Sequence, residues 1–249
     1  MTIPSDPATL VIIALIFVVA GLVKGALGLG LPTIGMALLS LVVPPASAAT
    51  LVFLPSLVTN VWQGLDGRAT AELLRRLAPM LIASFVATLA FSHLLALGAT
   101  ETAAFWLGVA LVAYGLVGLM NRRLDMPPAA EPWLGIGAGL ATGFVTGATG
   151  VFVLPAVPWL AGLGLDRNRL VQAMGLSFTV STLGLGLGLW MHGAFSAGAT
   201  WASALALLPA LAGMRLGTAL RGRISAAAFR KLFFLLLMAL GAYGVLRAL

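Results

Sequence analysis

Lys24 stands inside a glycine-rich run, residues 21–32 reading G-L-V-K-G-A-L-G-L-G-L-P, and a second run, G-F-V-T-G-A-T-G-V-F-V-L-P, occupies residues 143–155. Each interrupts an apolar stretch. Glycines that end in proline break helices, and a broken helix in a bilayer is tolerated only where its freed backbone groups are buried in protein or line a polar cavity. Amides around Gly25, Gly28, Gly30, Gly147 and Gly150 can approach a ligand closely, and the positive ends of half-helices attract anions. In the first run Lys24 adds a cation; the corresponding position in the second is Thr146, with Thr149 beside it. The chemistry these residues could do is binding of a small anion.

Two readings of Lys24 stay open. A charge at the bilayer centre costs on the order of 2.5–3.5 kcal/mol, so a lysine there should face a cavity or a partner, whereas near the inner surface it would snorkel as an anchor. The glycines likewise either expose amides or allow close helix packing of the small-xxx-small kind. Gly213 and Gly217, away from both runs, read as packing. Walls for a site come from Ser56, Thr59, Asn60 and Gln63, a polar stripe at helical spacing, and from Ser177 and Ser181, with Thr182 adjacent. Serine and threonine in membrane helices commonly bond their own backbone, but the amides of Asn60 and Gln63 need several partners. Arg215 could attract an anion, although snorkelling is the favoured reading.

Other chemistries lack residues. The acids Asp6, Asp66, Glu72, Glu101, Asp125, Glu131 and Asp166 all fall at segment ends or in connections, so no carboxylate relay crosses the membrane and a proton pump or acid-built cation site is disfavoured. His93 and His192 fall near segment ends, far from the glycine runs. There is no cysteine, hence no disulfide or thiolate metal site. No catalytic constellation or cofactor motif is present, no metal centre is expected, and the sequence reads as a non-enzyme.

The elements that must position these residues are membrane helices. The chain is 61% hydrophobic and 8% charged, with mean hydropathy +1.09, too little polar surface for a water-soluble domain. The fold class expected is all-α and polytopic. Ten apolar segments fall into two sets of five, at 10–23, 33–43, 48–65, 77–97 and 102–120, then 133–145, 154–165, 170–191, 199–220 and 229–246. At about 1.5 Å per residue, the first two segments of each set are too short to cross a hydrocarbon core about 30 Å thick, and each pair reads as a broken or re-entrant hairpin. Pro79 and Pro209 mark the start of the fourth segment's core in each set, and Tyr114-Gly115 and Tyr243-Gly244 sit late in the fifth. An internal duplication follows, with a first transmembrane repeat at 1–126 and a second at 127–249, one integrated transmembrane domain.

The net charge of +7 reflects orientation and not nucleic acid, because the basic residues sit in alternate connections: Arg68, Arg75 and Arg76; Arg122 and Arg123; Arg167 and Arg169; Arg221 and Arg223. Placing these inside puts both termini outside, and five segments per repeat invert the second repeat relative to the first. The glycine turns would then approach each other near the midplane. The acid-bearing amino end reads as a retained segment and not a cleavable signal.

With the duplicated glycine runs closing in Pro32 and Pro155, the polar lead-ins to the third and eighth segments and the arginine-rich stretch before the last helix, the chain resembles the sulfite exporter TauE/SafE family, also called the sulfonate uptake permease family, over nearly all its length. It departs from the usual pattern at Val151-Phe152, where a further glycine pair is common. The resemblance implies transport of small sulfur-containing anions such as sulfite, sulfonates or other organosulfur acids. The expectation is a membrane transporter, an exporter by alternating access at the interface of two inverted repeats, in a bacterial inner membrane, with a small anionic substrate, the lipid bilayer and a further copy of the chain as partners. An anion channel or uncoupled facilitator is the alternative, and a membrane-embedded enzyme or assembly factor a third.

Overall fold

The computed structural model describes residues 6–120, 127, 129–220 and 225–248. Among these residues are eleven α-helices and no strand: α1 (Pro7–Leu27), α2 (Leu31–Leu39), α3 (Pro45–Leu65), α4 (Thr70–Phe91), α5 (His93–Leu97), α6 (Thr100–Met120), α7 (Glu131–Thr149), α8 (Ala156–Ala161), α9 (Arg167–Met191), α10 (Ala197–Leu220) and α11 (Ala226–Ala248). Seven stretches are long and apolar enough to cross a membrane: α1, α3, α4 with α5, α6, α9, α10 and α11. The protein is an all-α, multi-pass membrane protein. Arg122, Arg123, Asp125, Arg221, Arg223 and the junction between residues 126 and 127 include positions outside the described residues.

Local sequence starts and stops these helices. Asp6 accepts the Thr9 N–H at 2.9 Å at the head of α1, a bond that holds its carboxyl below the usual carboxylate range, and Pro7 takes the first helical position, where no N–H is needed. Asp166 does the same for α9, accepting from the amides of Asn168 and Arg169 at 2.9 and 3.0 Å. Gly28 and Gly150 end α1 and α7 at φ of 79° and 73°, the left-handed region that disfavours any side chain.

Two expectations about these elements are corrected. The arms of each hairpin are unequal: α1 has 21 residues and α7 has 19, but α2 has only 9 and α8 only 6. At about 1.5 Å per residue α1 reaches roughly 31 Å, a full crossing, while α2 and α8 return part of the way. Helical pattern continues through flanking residues that hydropathy alone excludes. Pro79 and Pro209 lie inside α4 and α10 and start neither. A third internal proline, Pro55 in α3, cannot bond the Leu51 carbonyl one turn back. Ser203 of α10 repairs this, its hydroxyl donating to Leu51 O at 2.8 Å while accepting the Leu54 N–H at 3.1 Å. In a bilayer no water would do so.

Glycines let the long helices touch. A Cβ at Gly21 or Gly25 of α1 would strike the backbone of α10 at Ala210 and Met214, and one at Gly213 or Gly217 of α10 would strike α1 at Val18 and Leu22. Between α7 and α4, Gly139 abuts Met80, Gly143 abuts Ser84 and Thr88, and Gly147 abuts Phe91 and Ser92. Lipid tails are as apolar as leucine, so close van der Waals contact of this kind, not burial from water, holds such helices together. The packings come in matched pairs: α1 on α10 and α7 on α4, α3 on α10 and α9 on α4, with α3 on α9 and α6 on α11 completing the set. Exchanging α1, α3, α4 and α6 for α7, α9, α10 and α11 leaves the set unchanged.

Arg68, Arg76, Arg167 and Arg169 gather at one end, whereas Arg247 lies near Glu101 at the other. Arg76 forms a two-pronged ion pair with Glu131, at 2.7 and 2.8 Å, and Arg169 a second with Glu72, at 2.9 and 3.1 Å. These tie the starts of α4, α7 and α9 together. A cysteine at exposed Ala71 is expected to be labelled only from the cytoplasm and one at exposed Ala99 only from outside, in a chain with no native cysteine. Membrane-impermeant thiol labelling of intact and opened cells checks this, and the opposite pattern would reverse the orientation.

Candidate functional site

Lys24 is 3% exposed, the one charged side chain that is buried among the described residues. It does not snorkel. Its ammonium donates to the Asn60 side-chain oxygen, and the Asn60 amide points on to the Thr182 hydroxyl at 3.4 Å. No described carboxylate pairs with Lys24, so the charge is met by neutral dipoles alone. The three side chains come from α1, α3 and α9. Asn60 and Thr182 lie midway along the packing of α3 on α9, between the Gly64–Gly175 contact at one end and the Phe53–Gly186 contact at the other. One turn along α3, Ser56 is fully buried and its hydroxyl has no partner.

The first glycine turn lies toward the arginine end. Gln63 spends its amide hydrogens on two carbonyls, Gly28 O at 2.9 Å and Val171 O at 2.8 Å, latching the turn to α9. Gln172 makes a second stitch, donating to Gly64 O at 3.1 Å and Thr70 Oγ1 at 2.7 Å. Above these two glutamines opens a polar bowl whose walls carry Arg68, Glu72, Asp166, Arg167 and Arg169, and whose floor is Val171 and Gln172. Gln63 is thus a latch under the bowl and not a donor free for an anion. Gln63→Leu is expected to loosen it, because two partly buried carbonyls lose a hydrogen bond worth about 0.5–1.5 kcal/mol each. Amide exchange at residues 25–30 and 167–175, followed by mass spectrometry, should quicken by about tenfold or more; unchanged exchange would remove the latch.

The second turn lies toward the opposite end, and the two do not meet at the midplane. Gly150 sits with Met36, Ala49, Phe53, Thr182 and Leu185 around a small, mostly apolar void, and Gly147 is wedged against the last turn of α4. Where Gln63 latches the first turn, Leu185, 122 positions on, borders the second. One end is closed by hydrogen bonds and the other by hydrophobic contact.

Several site expectations are corrected by this geometry. The Gly28 and Gly150 amides already donate to Lys24 O and Thr146 O, each at 2.8 Å, and Gly25 and Gly147 face neighbouring helices, so these amides are not presented to a ligand. Gly30 caps α2 at φ 107° against Val23 and Phe233. Thr146 bonds Thr142 O and Val151 O, and Thr149 bonds Val145 O and receives the Val151 N–H; both hydroxyls shape the turn. Ser177 and Ser181 look toward α4, at Met80 Sδ and Ser84 Oγ, and away from Lys24. Thr182, one residue on, faces the site instead. Arg215 is exposed, in keeping with snorkelling.

A family model described as Sulfite exporter TauE/SafE matches residues 13–244. The chain belongs to the TauE/SafE family. No curated protein and no solved structure matches it. TauE/SafE proteins are membrane transporters of sulfur anions and not enzymes, and the match spans both glycine turns and every helix that contributes to the Lys24 cluster. Within this TauE/SafE chain the sequence singled out Lys24 and Asn60 correctly as polar groups needing partners. It did not single out Thr182 as Asn60's partner, or Gln172 and Ser203 at all. The signal available for Thr182 was its spacing, 122 positions from Asn60, the same as Lys24 to Thr146.

Proposed function

We propose that this TauE/SafE protein exports a small sulfur-containing oxyanion, such as sulfite or a sulfonate, by alternating access between two inverted repeats, residues 1–126 and 127–249. The observation that carries the reading is the buried Lys24 ammonium, paired with an amide oxygen and with no carboxylate among the described residues. An unneutralised buried cation is costly, and an anion beside it recovers that cost. Lys24 supplies the charge, and the second amide hydrogen of Asn60 and the unpartnered hydroxyl of Ser56 serve as donors to the anion's oxygens, while Thr182, whose own hydrogen goes to the Phe178 carbonyl at 2.6 Å, accepts from Asn60 and holds it in place. Support for inverted repeats comes from the helix packings that exchange in pairs and from contacts such as Gly64–Gly175 and Phe53–Gly186, which exchange under the same shift of 122 positions. Closure at both ends, by Gln63 and by the Met36–Gly150 contact, favours a carrier over an open channel.

Flux in proteoliposomes tests the reading, with labelled sulfite, thiosulfate, a sulfonate and sulfate offered in turn. Saturable flux of one or more of the sulfur anions is expected. For a monovalent anion moving alone, 100 mV is worth about 2.3 kcal/mol and, negative inside, drives export. Net flux should therefore reverse with the sign of a clamped potential at equal concentrations. Flux that instead requires a pH gradient at fixed substrate protonation would mean proton coupling, and non-saturating flux would mean a channel.

A further inference from the structure

The chain has two histidines, and the fold brings them together at the end opposite the ion-paired Arg76 and Arg169. His93 opens α5 just after the break at Ser92, and His192 caps α9; their ring centroids are 6.4 Å apart, with the planes at 46°. Each ring is held the same way, His93 Nδ1 on the carbonyl of Ala90 at 2.8 Å and His192 Nδ1 on the carbonyl of Gly188 at 2.7 Å. A carbonyl can only accept, so in both neutral rings the proton sits on Nδ1 and the lone pair on Nε2. This tautomer leaves Nε2 to bind a metal, and a backbone carbonyl on the other nitrogen is how metal-ligating histidines are commonly oriented.

We propose that His93 and His192 form a two-imidazole site for a divalent transition-metal ion of the zinc type, one that bridges the α4–α5 break and the end of α9. Zinc–nitrogen bonds of about 2.0–2.1 Å in a tetrahedral arrangement hold two ring centroids roughly 5 Å apart, so the rings need to close by about 1 Å. His93 is exposed and His192 half-buried, and water completes the coordination. With no cysteine in the chain and no group of three or more histidine, cysteine or acidic ligands among the described residues, the ion is exchangeable and not structural. Its position gives it an effect. Gly188 packs on Ser92, and Gly147 of the second turn packs on Phe91 and Ser92, so a bound ion clamps α9 to the wall against which that turn rests.

Titration calorimetry with Zn²⁺ on the full chain, without a polyhistidine tag, tests the site in the parent, His93→Ala, His192→Ala and the double variant. The parent is expected to bind one ion, and each single variant to bind at least about tenfold more weakly, because one imidazole remains. A single variant that binds like the parent, or a parent that binds no more tightly than the double variant, would overturn the proposal. Both side chains lie at helix ends near the surface, and monodisperse elution of every variant checks that the fold is kept.

Discussion

Lys24→Met is expected to raise the anion concentration needed for half-maximal flux by about tenfold to a hundredfold, because a charge-assisted hydrogen bond is worth about 1.5–3 kcal/mol and 1.4 kcal/mol is a factor of ten. The same change should leave the amount of folded protein in the membrane unchanged or higher. Methionine is close to lysine in length, and it removes a buried charge whose insertion costs on the order of 2.5–3.5 kcal/mol. Against that stands the loss of the bond to Asn60, whose oxygen is left unpaired at about 1–3 kcal/mol. These terms nearly cancel for folding but not for anion binding. Lys24→Arg keeps the charge on a broader, planar head and should retain part of the affinity. Concentration-dependent flux in proteoliposomes, with thermal unfolding measured in the same detergent, separates the outcomes. A methionine variant of unchanged affinity and lower stability would make Lys24 a structural residue and remove it from the site.

Gly143→Leu is expected to abolish folded protein, whereas Gly137→Leu, six residues earlier in the same helix, should be tolerated. A Cβ at Gly143 would lie 2.5 Å from Ser84 O, 2.5 Å from the Ala87 side chain and 2.7 Å from Thr88 N, while one at Gly137 meets nothing within 4 Å. Backbone atoms cannot move aside as a side-chain tip can, so leucine at 143 pushes α7 off α4 and removes the dispersion contacts that hold the pair. Fluorescence-detected size-exclusion profiles of the two variants report the difference. A monodisperse Gly143→Leu protein at parental yield would mean that α4 and α7 are not packed as described.

These two predictions differ in how far the sequence anticipates them. A lysine within an apolar, glycine-rich run announces a buried or snorkelling cation, and its spacing from Thr146 ties it to a repeat. Which of the two it is follows from Asn60, which reaches it from α3 and is itself held by Thr182 of α9. For glycines the sequence favoured exposed amides over close packing, and the structure divides them by position: Gly28 and Gly150 turn the chain, while Gly21, Gly25, Gly143 and Gly147 serve helix contact. The amide donation expected of them fails because both turn amides cap their own helices.

By itself the sequence determined the solvent, the helical class, the two breaks and the family resemblance. These depend on composition and on runs of neighbouring residues, so a hydrocarbon core about 30 Å thick and the helix-breaking chemistry of glycine and proline suffice to read them. Tertiary structure alone decided which faces meet. Successive residues on a helix point about 100° apart, so Ser181 looks at α4 while Thr182 looks at Asn60, and hydroxyls of similar chemistry part company. The rotation of each helix is fixed only when all its neighbours pack, through glycines that admit a partner's backbone and side chains that exclude it. His93 and His192, 99 residues apart in the chain, meet for the same reason.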